Sequence, residues 1–240
     1  MDQIAPQAYI GTAGLGSDRR KLQKQLNFVE LQQTLFFPIT IKTATRWRNE
    51  APEGFAFALR AWQLITHPPQ GKGYPRLPKG HEVDLSQCGH FMDSLTVQDA
   101  YQQTKAVADA LAAQAIVFET PASFTPTVEH RQRLTKFFET VERDAAQLLV
   151  WRPAGVWQDA EIKRICDDLK LVAATDPFEE TLAADVGYLR LDAPRYSDDV
   201  LLRLADIVAQ SARVYCPFNS LSMLRDAQRF RTLLVETLDG

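Results

Sequence analysis

Three arginines each end a short segment that is rich in apolar residues: Arg60, Arg152 and Arg190. A guanidinium group binds phosphate or carboxylate through two parallel hydrogen bonds, so three converging arginines would suit an anionic ligand. The same arginines could instead pair with acidic side chains in a buried ionic network that involves no ligand. From the sequence, both interpretations stay open.

Carboxylates stand at the ends of comparable segments: Glu30, Glu119 and Asp176. A carboxyl group can act as a general acid, as a general base or as a ligand of a hard metal ion. These three carboxylates are also the candidates for pairing with the arginines if the ionic network is the correct interpretation.

The sequence has four histidines, His67, His81, His90 and His130, and only His67 closely follows one of these segments. We expect His130 to begin a helix and to be solvated. A single histidine near the candidate site does not make a zinc cluster, so we predict no metal and no cofactor. The predicted catalytic residues are Glu30, Glu119, His67 and Asp176, and the predicted ligand-binding residues are Thr12, Arg60, Arg152, Arg190, Asp192 and Asn219.

The elements that carry these residues are short β-rich segments that alternate with longer helical patterns, as in βαβ units. Apolar residues at helical spacing predict helices over residues 97–113, 130–148, 198–211 and 220–234. The predicted strands are residues 8–12, 28–31, 55–60, 115–119, 147–152, 171–175, 187–191 and 213–217.

Eight strands with intervening helices match the closure of a (β/α)8 barrel, and a chain of 240 residues fits one such domain, residues 1–240. A doubly wound open sheet is the alternative, because short apolar strands have the same pattern in both folds. In the barrel, the first strand pairs with the strand that contains Val214. The carboxyl ends of the strands then carry the candidate residues, and the long loop region 62–96 after strand three is expected beside them.

Composition limits the classes of function. The formal net charge is −3 and both charge signs are interspersed, so net charge does not indicate nucleic acid as a partner. Three cysteines without a C-x-x-C pair imply no disulfide framework. Residues 1–6 do not resemble the start of a signal peptide, and no apolar run approaches the ~20 residues that span a bilayer, so a cytoplasmic location without membrane contact is expected.

The order of these motifs resembles the YecE-like family, domain of unknown function 72, over almost the whole chain. That resemblance implies a TIM barrel and no established activity. The residues that carry the resemblance are Ile10-Gly11-Thr12-Ala13-Gly14, Phe28-Val29-Glu30, Thr34, Phe36, Trp47, Pro52, the segment from Phe55 to Arg60, Thr66-His67, Pro121, Phe124, Arg131, Arg152, Trp157, Asp176, Tyr188, Arg190, Tyr196 and Phe218-Asn219.

The chain also departs from the pattern of that family. Glu119 stands where the family usually has glutamine, and Pro153 stands where it has histidine. Val150-Trp151 lacks the usual glutamate before the arginine, and Asp192-Ala193 replaces a His-Gly pair. The resemblance therefore implies fewer acid and base candidates in this chain than in the family.

The resulting hypothesis is a polar pocket that binds an anionic small molecule or nucleotide fragment, with hydrolase-like chemistry. A non-catalytic barrel that binds a ligand or nucleic acid is the alternative. An enzyme should keep a carboxylate or His67 beside open space near the arginines, whereas a binding module can have each carboxylate neutralised. We expect Arg190 to face the pocket beside Arg60 or Arg152, with Asp192 as the carboxylate that could pair with it instead.

Overall fold

Among the described residues, eight strands form a closed barrel in the order β1-β2-β3-β4-β5-β6-β7-β8. The computed structural model describes residues 7–16, 18–70, 74, 77, 83–183 and 185–239. The predicted (β/α)8 barrel is confirmed, and the open-sheet alternative is wrong. The strands are β1 (Gln7–Ala13), β2 (Phe28–Leu31), β3 (Ala56–Arg60), β4 (Ala115–Thr120), β5 (Leu148–Pro153), β6 (Val172–Thr175), β7 (Val186–Leu189) and β8 (Arg213–Phe218).

Helices follow most of the strands. Short 3-10 turns at Gln32–Leu35 and Leu85–Gln87 add to them. The helices of the described residues are α1 (Arg19–Gln25), α2 (Ile41–Glu50), α3 (Gln63–Thr66), α4 (Leu95–Leu111), α5 (Val128–Thr140), α6 (Asp159–Leu169), α7 (Asp198–Val208) and α8 (Met223–Asp239). No helix of the described residues is both long and apolar enough to cross a membrane.

The chain packs as two compact units. Unit 1 is Met1–Leu31, Ala51–Phe57 and Val172–Gly240, and unit 2 is Gln32–Glu50 and Ala58–Leu171. The single domain over residues 1–240 stays a prediction. Residues 1–6 and His81, which the sequence analysis discussed, lie outside the described residues, as does part of the loop region 62–96.

In unit 1, β1 pairs in parallel with β8, and Ala8 lies opposite Val214 as predicted. Tyrosine side chains of these strands and of β7 pack on one another. The rings of Tyr9 and Tyr215 stack with centroids 4.7 Å apart, and the rings of Tyr188 and Tyr215 stack with centroids 5.7 Å apart. Aromatic pairs at such distances contribute beyond their buried area. Stacked tyrosine rings from β1, β7 and β8 therefore fill part of the interior of unit 1.

In unit 2, residues near the end of the loop region after β3 form hydrogen bonds with residues near its beginning. The amide of Gly89 donates to the carbonyl of Leu64, and the amide of Phe91 donates to that of Ile65. The ring of Phe91 then packs against Phe118 of β4 and Phe124, with centroids 6.3 and 5.4 Å apart. These contacts hold the end of this stretch beside the carboxyl end of β4.

Four predicted elements end at least two residues earlier than expected, among them the helices predicted over residues 97–113 and 198–211, which end at Leu111 and Val208. The helix predicted over residues 130–148 ends at Thr140, because Val141 adopts an extended backbone conformation, and a turn in which Asp144 accepts a hydrogen bond from the amide of Ala146 leads on to β5. The strand predicted over residues 187–191 ends at Leu189, and Leu191 forms only an isolated bridge to Phe218. Arg190 therefore lies directly after β7 rather than within it.

The connection from β6 to β7, residues 176–185, has no helix among its described residues. Leu182 lies against β7, where a Cβ atom added to Gly187 would be 2.4 Å from its Cδ1. The guanidinium of Arg203 on α7 lies over the ring of Phe178, 5.6 Å from its centroid. This short segment consequently stays close to the end of β7 instead of continuing into an outer helix.

We expect Gly11→Ala to lower the free energy of unfolding by about 3 kcal/mol, because the new Cβ would lie 1.9 Å from the backbone carbonyl oxygen of Phe28 and would force β1 and β2 apart. Gly187→Ala is the matched control. Its Cβ meets the mobile end of Leu182, so the loss should be about 1 kcal/mol. Urea unfolding measures both, and equal losses would contradict the close approach of the two backbones.

Candidate functional site

An open cleft of about 440 Å³ lies in unit 1, beyond the carboxyl ends of β6 and β7. Three sequence-predicted residues share its lining, and the β6–β7 connection supplies much of the remainder. The lining residues are Asp176, Phe178, Glu179, Arg190, Asp192, Ala193 and Tyr196.

Arg190 enters the cleft directly after β7. Its backbone amide donates to the carbonyl of Thr175 on β6 at 2.7 Å, and its Nη2 donates to Glu180 Oε1 at 2.8 Å. The side chain is 30% exposed, and its Nε is buried without a hydrogen-bond partner among the described residues. The sequence analysis named Asp192 as the carboxylate that could pair with Arg190, and that pairing is wrong. The carboxylate is Glu180, which the helix-free connection brings to the end of β7.

Asp176 is fixed by its own turn. Its Oδ1 accepts a hydrogen bond from the amide of Phe178 at 3.0 Å, and its backbone amide donates to Glu180 Oε1 at 3.2 Å. Within the described ranges, no lysine or arginine forms an ion pair with Asp176. The carboxylate thus lines open space next to a guanidinium without being neutralised by it.

Asp192 and Tyr196 form the other side of the cleft. Asn219 Nδ2 donates to Asp192 Oδ1 at 2.9 Å, and the amide of Ala193 donates to the Tyr196 hydroxyl at 3.2 Å. Burial, together with the charges of Asp192, Asp176 and Asp226, raises the pKa of Tyr196 to about 12, although its hydrogen bond to Ala193 acts in the opposite direction. The phenol is therefore protonated at neutral pH and can donate a hydrogen bond.

Thr12 and Glu30 belong to unit 1 but are not part of the cleft lining. Both are fully buried. The Thr12 hydroxyl donates to the carbonyl of Gly14 at 2.7 Å, and Glu30 Oε2 accepts from the Tyr188 hydroxyl at 2.7 Å. The first contact closes the turn that follows β1, and the second joins β7 to β2. The catalytic role of Glu30 and the ligand-binding role of Thr12 stay predictions.

In unit 2, one carboxylate oxygen serves two arginines. Glu119 Oε2 lies 2.8 Å from Arg60 Nη1 and 3.3 Å from Arg152 Nε. Neither approach has hydrogen-bond geometry at that oxygen, so the contact is an ionic one. Side-chain exposure is 9% for Arg60 and 24% for Glu119. This is the ionic network considered from the sequence, in which the arginines stabilise an acidic group. The position of Arg60 or Arg152 beside Arg190 stays a prediction.

His67 lies near this network. Its Nδ1 shares a 2.8 Å hydrogen bond with the Thr66 hydroxyl. Burial lowers the pKa of His67, the charge of Arg60 lowers it further, and the charge of Glu119 opposes both. The ring is therefore neutral at neutral pH, as a proton acceptor would need to be, and its catalytic role stays a prediction.

Two other histidines pack together in unit 2. The rings of His90 and His130 are 4.7 Å apart, and His90 Nε2 shares a 3.1 Å hydrogen bond with the Ser123 hydroxyl. Burial is the main cause that lowers the pKa of His90 to about 4, and its neighbours His130 and Arg133 lower it further. His130 Nδ1 donates to the carbonyl of Thr125 at 2.7 Å. His130 lies in the first turn of α5, as expected, and it is half-buried rather than fully solvated, because its ring is held by this bond and packs on Phe124.

Two features of these sites had no clear signal in the sequence. Glu180 follows no strand directly, and it reaches Arg190 through a connection whose described residues form no helix. His90 stands in the long loop region, and its left-handed backbone conformation (φ 49°) depends on the turn at Gly89. Among the residues described, no group of three or more His, Cys, Asp or Glu side chains could hold a metal ion.

We expect Glu119→Gln to lower the free energy of unfolding by about 3 kcal/mol, because it removes the charge that two poorly solvated guanidinium groups share. Glu129→Gln is the matched control. Glu129 is 66% exposed and pairs with Arg133 on the same helix, so the change should be about 0.5 kcal/mol or less. Urea unfolding at low salt measures both values. Similar values for the two variants would contradict the structural role of Glu119.

Comparison with known families and structures agrees with this fold. A family model described as "Protein of unknown function DUF72" matches residues 13–239. A DUF72 family protein from Enterococcus faecalis V583 is 12% identical with a TM-score of 0.66, over 99% of this chain and 99% of that chain. One from Thermotoga maritima MSB8 is 14% identical with a TM-score of 0.64, over 95% of this chain and 99% of that chain.

A D-psicose 3-epimerase solved in the presence of D-fructose is 13% identical with a TM-score of 0.55, over 98% of this chain and 96% of that chain. At these identities the structural likeness shows a common fold and no common reaction. No curated protein sequence matches the chain.

Proposed function

The chain belongs to the DUF72 protein family, whose description names no reaction. From the geometry of the site, we propose that the unit 1 cleft is the active site of a hydrolase-like enzyme. Its substrate in this proposal is a small molecule with a phosphate or carboxylate group. Arg190 binds that group, and Asp176 performs the proton transfer.

The observation that carries this proposal is the shared lining of one open cleft by Arg190, Asp176 and Asp192. A pure binding site can have each carboxylate paired with a cation, whereas an acid–base enzyme needs a carboxylate that borders open space beside the anchoring group. Asp176 meets that condition, because its described hydrogen bonds come from backbone amide groups. Glu119 in unit 2 does not meet it, which supports a structural role for the Arg60–Glu119–Arg152 network.

Arg190 is suited to hold an anion without a large rearrangement. Glu180 accepts a hydrogen bond from Nη2 of Arg190 and so orients the guanidinium plane. The Arg190 side chain stays partly exposed in the cleft. A guanidinium group has five N–H donors, so one bond to Glu180 leaves others for a ligand. The anchoring group is thus positioned before the ligand arrives, which lowers the entropic cost of binding.

In the proposed step, Asp176 takes a proton from a water molecule while the water oxygen bonds to the phosphorus or acyl carbon of the substrate. The bond from that atom to the leaving oxygen breaks, and the leaving oxygen takes a proton from the Tyr196 hydroxyl. Asp176 and Tyr196 then return to their starting states by proton exchange with solvent. Asp192, oriented by Asn219, contacts the non-reacting part of the substrate.

Arg190→Gln should abolish the stabilisation of the full-length protein by anionic ligands, because it removes the anchoring charge. The measurement is a thermal-shift screen of phosphorylated and carboxylated metabolites. Arg195→Gln is the matched control, since Arg195 belongs to the same loop, is exposed and does not line the cleft. Ligands that shift the melting temperature of wild type and Arg190→Gln equally would contradict the anchoring role.

Asp176→Asn should keep the binding of a compound found in that screen but lower its hydrolysis by about 10²–10⁴-fold, the usual contribution of a general base. Release of the leaving group measures the rate, and the thermal shift measures binding. Asp185→Asn, at an exposed acid outside the cleft, should hydrolyse at the wild-type rate. Binding without hydrolysis in wild type would instead identify a non-catalytic ligand-binding barrel.

A further inference from the structure

A strained turn carries His90 in unit 2. Three consecutive residues, Gly89, His90 and Phe91, have positive φ angles of 80°, 49° and 52°. This left-handed conformation is uncommon for residues other than glycine, and at bulky side chains it costs free energy. The amides of Gly89 and His90 offset that cost, because they donate to the carbonyls of Leu64 and Thr66 at 2.7 and 3.1 Å. The fold therefore holds His90 in a backbone conformation that the chain would rarely adopt alone.

The imidazole of His90 contacts an exposed hydroxyl group. Its Nε2 lies 3.1 Å from Oγ of Ser123, a residue of the turn that follows β4. The rings of Phe124 and His130 pack against the imidazole, with centroids 5.4 and 4.7 Å away. A hydroxyl group and a well-held imidazole within hydrogen-bond reach are the nucleophile and the base of many acyl-transferring enzymes.

The protonation state of His90 suits a base. Because its pKa is lowered to about 4, chiefly by burial, the ring is neutral at neutral pH. In the tautomer that carries its proton on Nδ1, Nε2 has a free lone pair and accepts the hydrogen bond of the Ser123 hydroxyl. An imidazolium formed here would return its proton readily, because its acidity is raised.

The backbone amide of Ser123 is available to a developing negative charge. Within the described ranges, this amide donates to no carbonyl or side chain, whereas the next amide, that of Phe124, donates to the carbonyl of Pro121 at 2.8 Å. An amide of the nucleophile itself commonly stabilises the oxyanion that forms when a hydroxyl group attacks a carbonyl carbon. Ser123 thus supplies both a nucleophilic oxygen and a hydrogen-bond donor.

The surface beside Ser123 is apolar on one side. Ala122 is exposed, and Gly155 packs so closely on it that an added Cβ would lie 3.0 Å from the Ala122 carbonyl oxygen. Val156, the next residue, is 64% exposed. Exposed apolar side chains gain free energy when a hydrocarbon group covers them. This surface therefore favours an uncharged acyl group.

We propose that Ser123 and His90 form an acyl-transferring site that hydrolyses uncharged carboxylic esters. Ser123 Oγ bonds to the carbonyl carbon while its proton passes to His90 Nε2. The bond from that carbon to the alcohol oxygen breaks, and this oxygen takes the proton from His90. A water molecule then attacks the acyl group, gives one proton to His90 and releases the carboxylic acid, and Ser123 Oγ regains a proton from His90. Neither residue lines the unit 1 cleft, so this activity is separate from the one proposed there.

The first test treats the full-length protein with a fluorophosphonate, which bonds to an activated serine oxygen with loss of fluoride. Mass spectrometry of peptides locates the label, and we expect it on Ser123. His90→Asn should slow the labelling by about 10²-fold or more, the usual contribution of a general base. Asparagine tolerates the left-handed conformation, so the turn should be kept, and an unchanged melting temperature checks this.

Ser86→Ala is the matched control, since Ser86 is exposed and its hydroxyl donates to Asp84 rather than contacting a histidine. This variant should be labelled on Ser123 at the wild-type rate. No label on Ser123, or equal labelling rates in wild type and His90→Asn, overturns the proposal.

The second test measures the release of p-nitrophenol from p-nitrophenyl acetate. Ser123→Ala should lower the rate at least tenfold, and Ser86→Ala should leave it unchanged. Equal rates in wild type and Ser123→Ala overturn the assignment of esters as substrates, even where the fluorophosphonate labels Ser123.

Discussion

The parallel pairing of β1 with β8 is the contact on which the remaining structure depends. It joins the first strand to the last through six residue pairs, from Gln7 with Arg213 to Thr12 with Phe218. Because the strands are parallel, the strands of unit 1 end at the same edge, and the residues that follow β6, β7 and β8 meet there. Asp176 and Arg190 line the cleft directly after β6 and β7, and Asn219, directly after β8, donates a hydrogen bond to Asp192 of the lining.

Much of this organisation could be predicted from the amino-acid sequence. Apolar β-rich segments identified the strands to within a residue or two, since buried parallel strands are continuous apolar runs. Residues that follow such runs, among them Asp176 and Arg190, could be assigned to one edge of the barrel for the same reason. The limits of α5 were not predictable in this way, because the turn at Asp144 interrupts a segment whose apolar periodicity continues.

The partners of the arginines could not be predicted. Arg60, Arg152 and Arg190 look alike in the sequence, since each ends an apolar segment. In the fold, Arg60 and Arg152 share Glu119, whereas Arg190 contacts Glu180 and lines open space. The difference arises from the chain beyond the strands: Glu119 is itself on a strand, and Glu180 lies in a connection whose described residues form no helix. Strand patterns carry no information on such a connection.

In that connection, some residues pack against the sheet and others contribute to the cleft. Leu182 fills the space against Gly187 and ties the segment to the sheet, while Phe178, Glu179 and Glu180 contribute to the cleft or orient its arginine. Phe178 has a packing role as well, since its ring also packs under the guanidinium of Arg203, whereas Glu179 and Glu180 contribute to the cleft alone. A descendant of this chain could therefore acquire a new ligand through a few changes in one surface segment, with the barrel inherited intact.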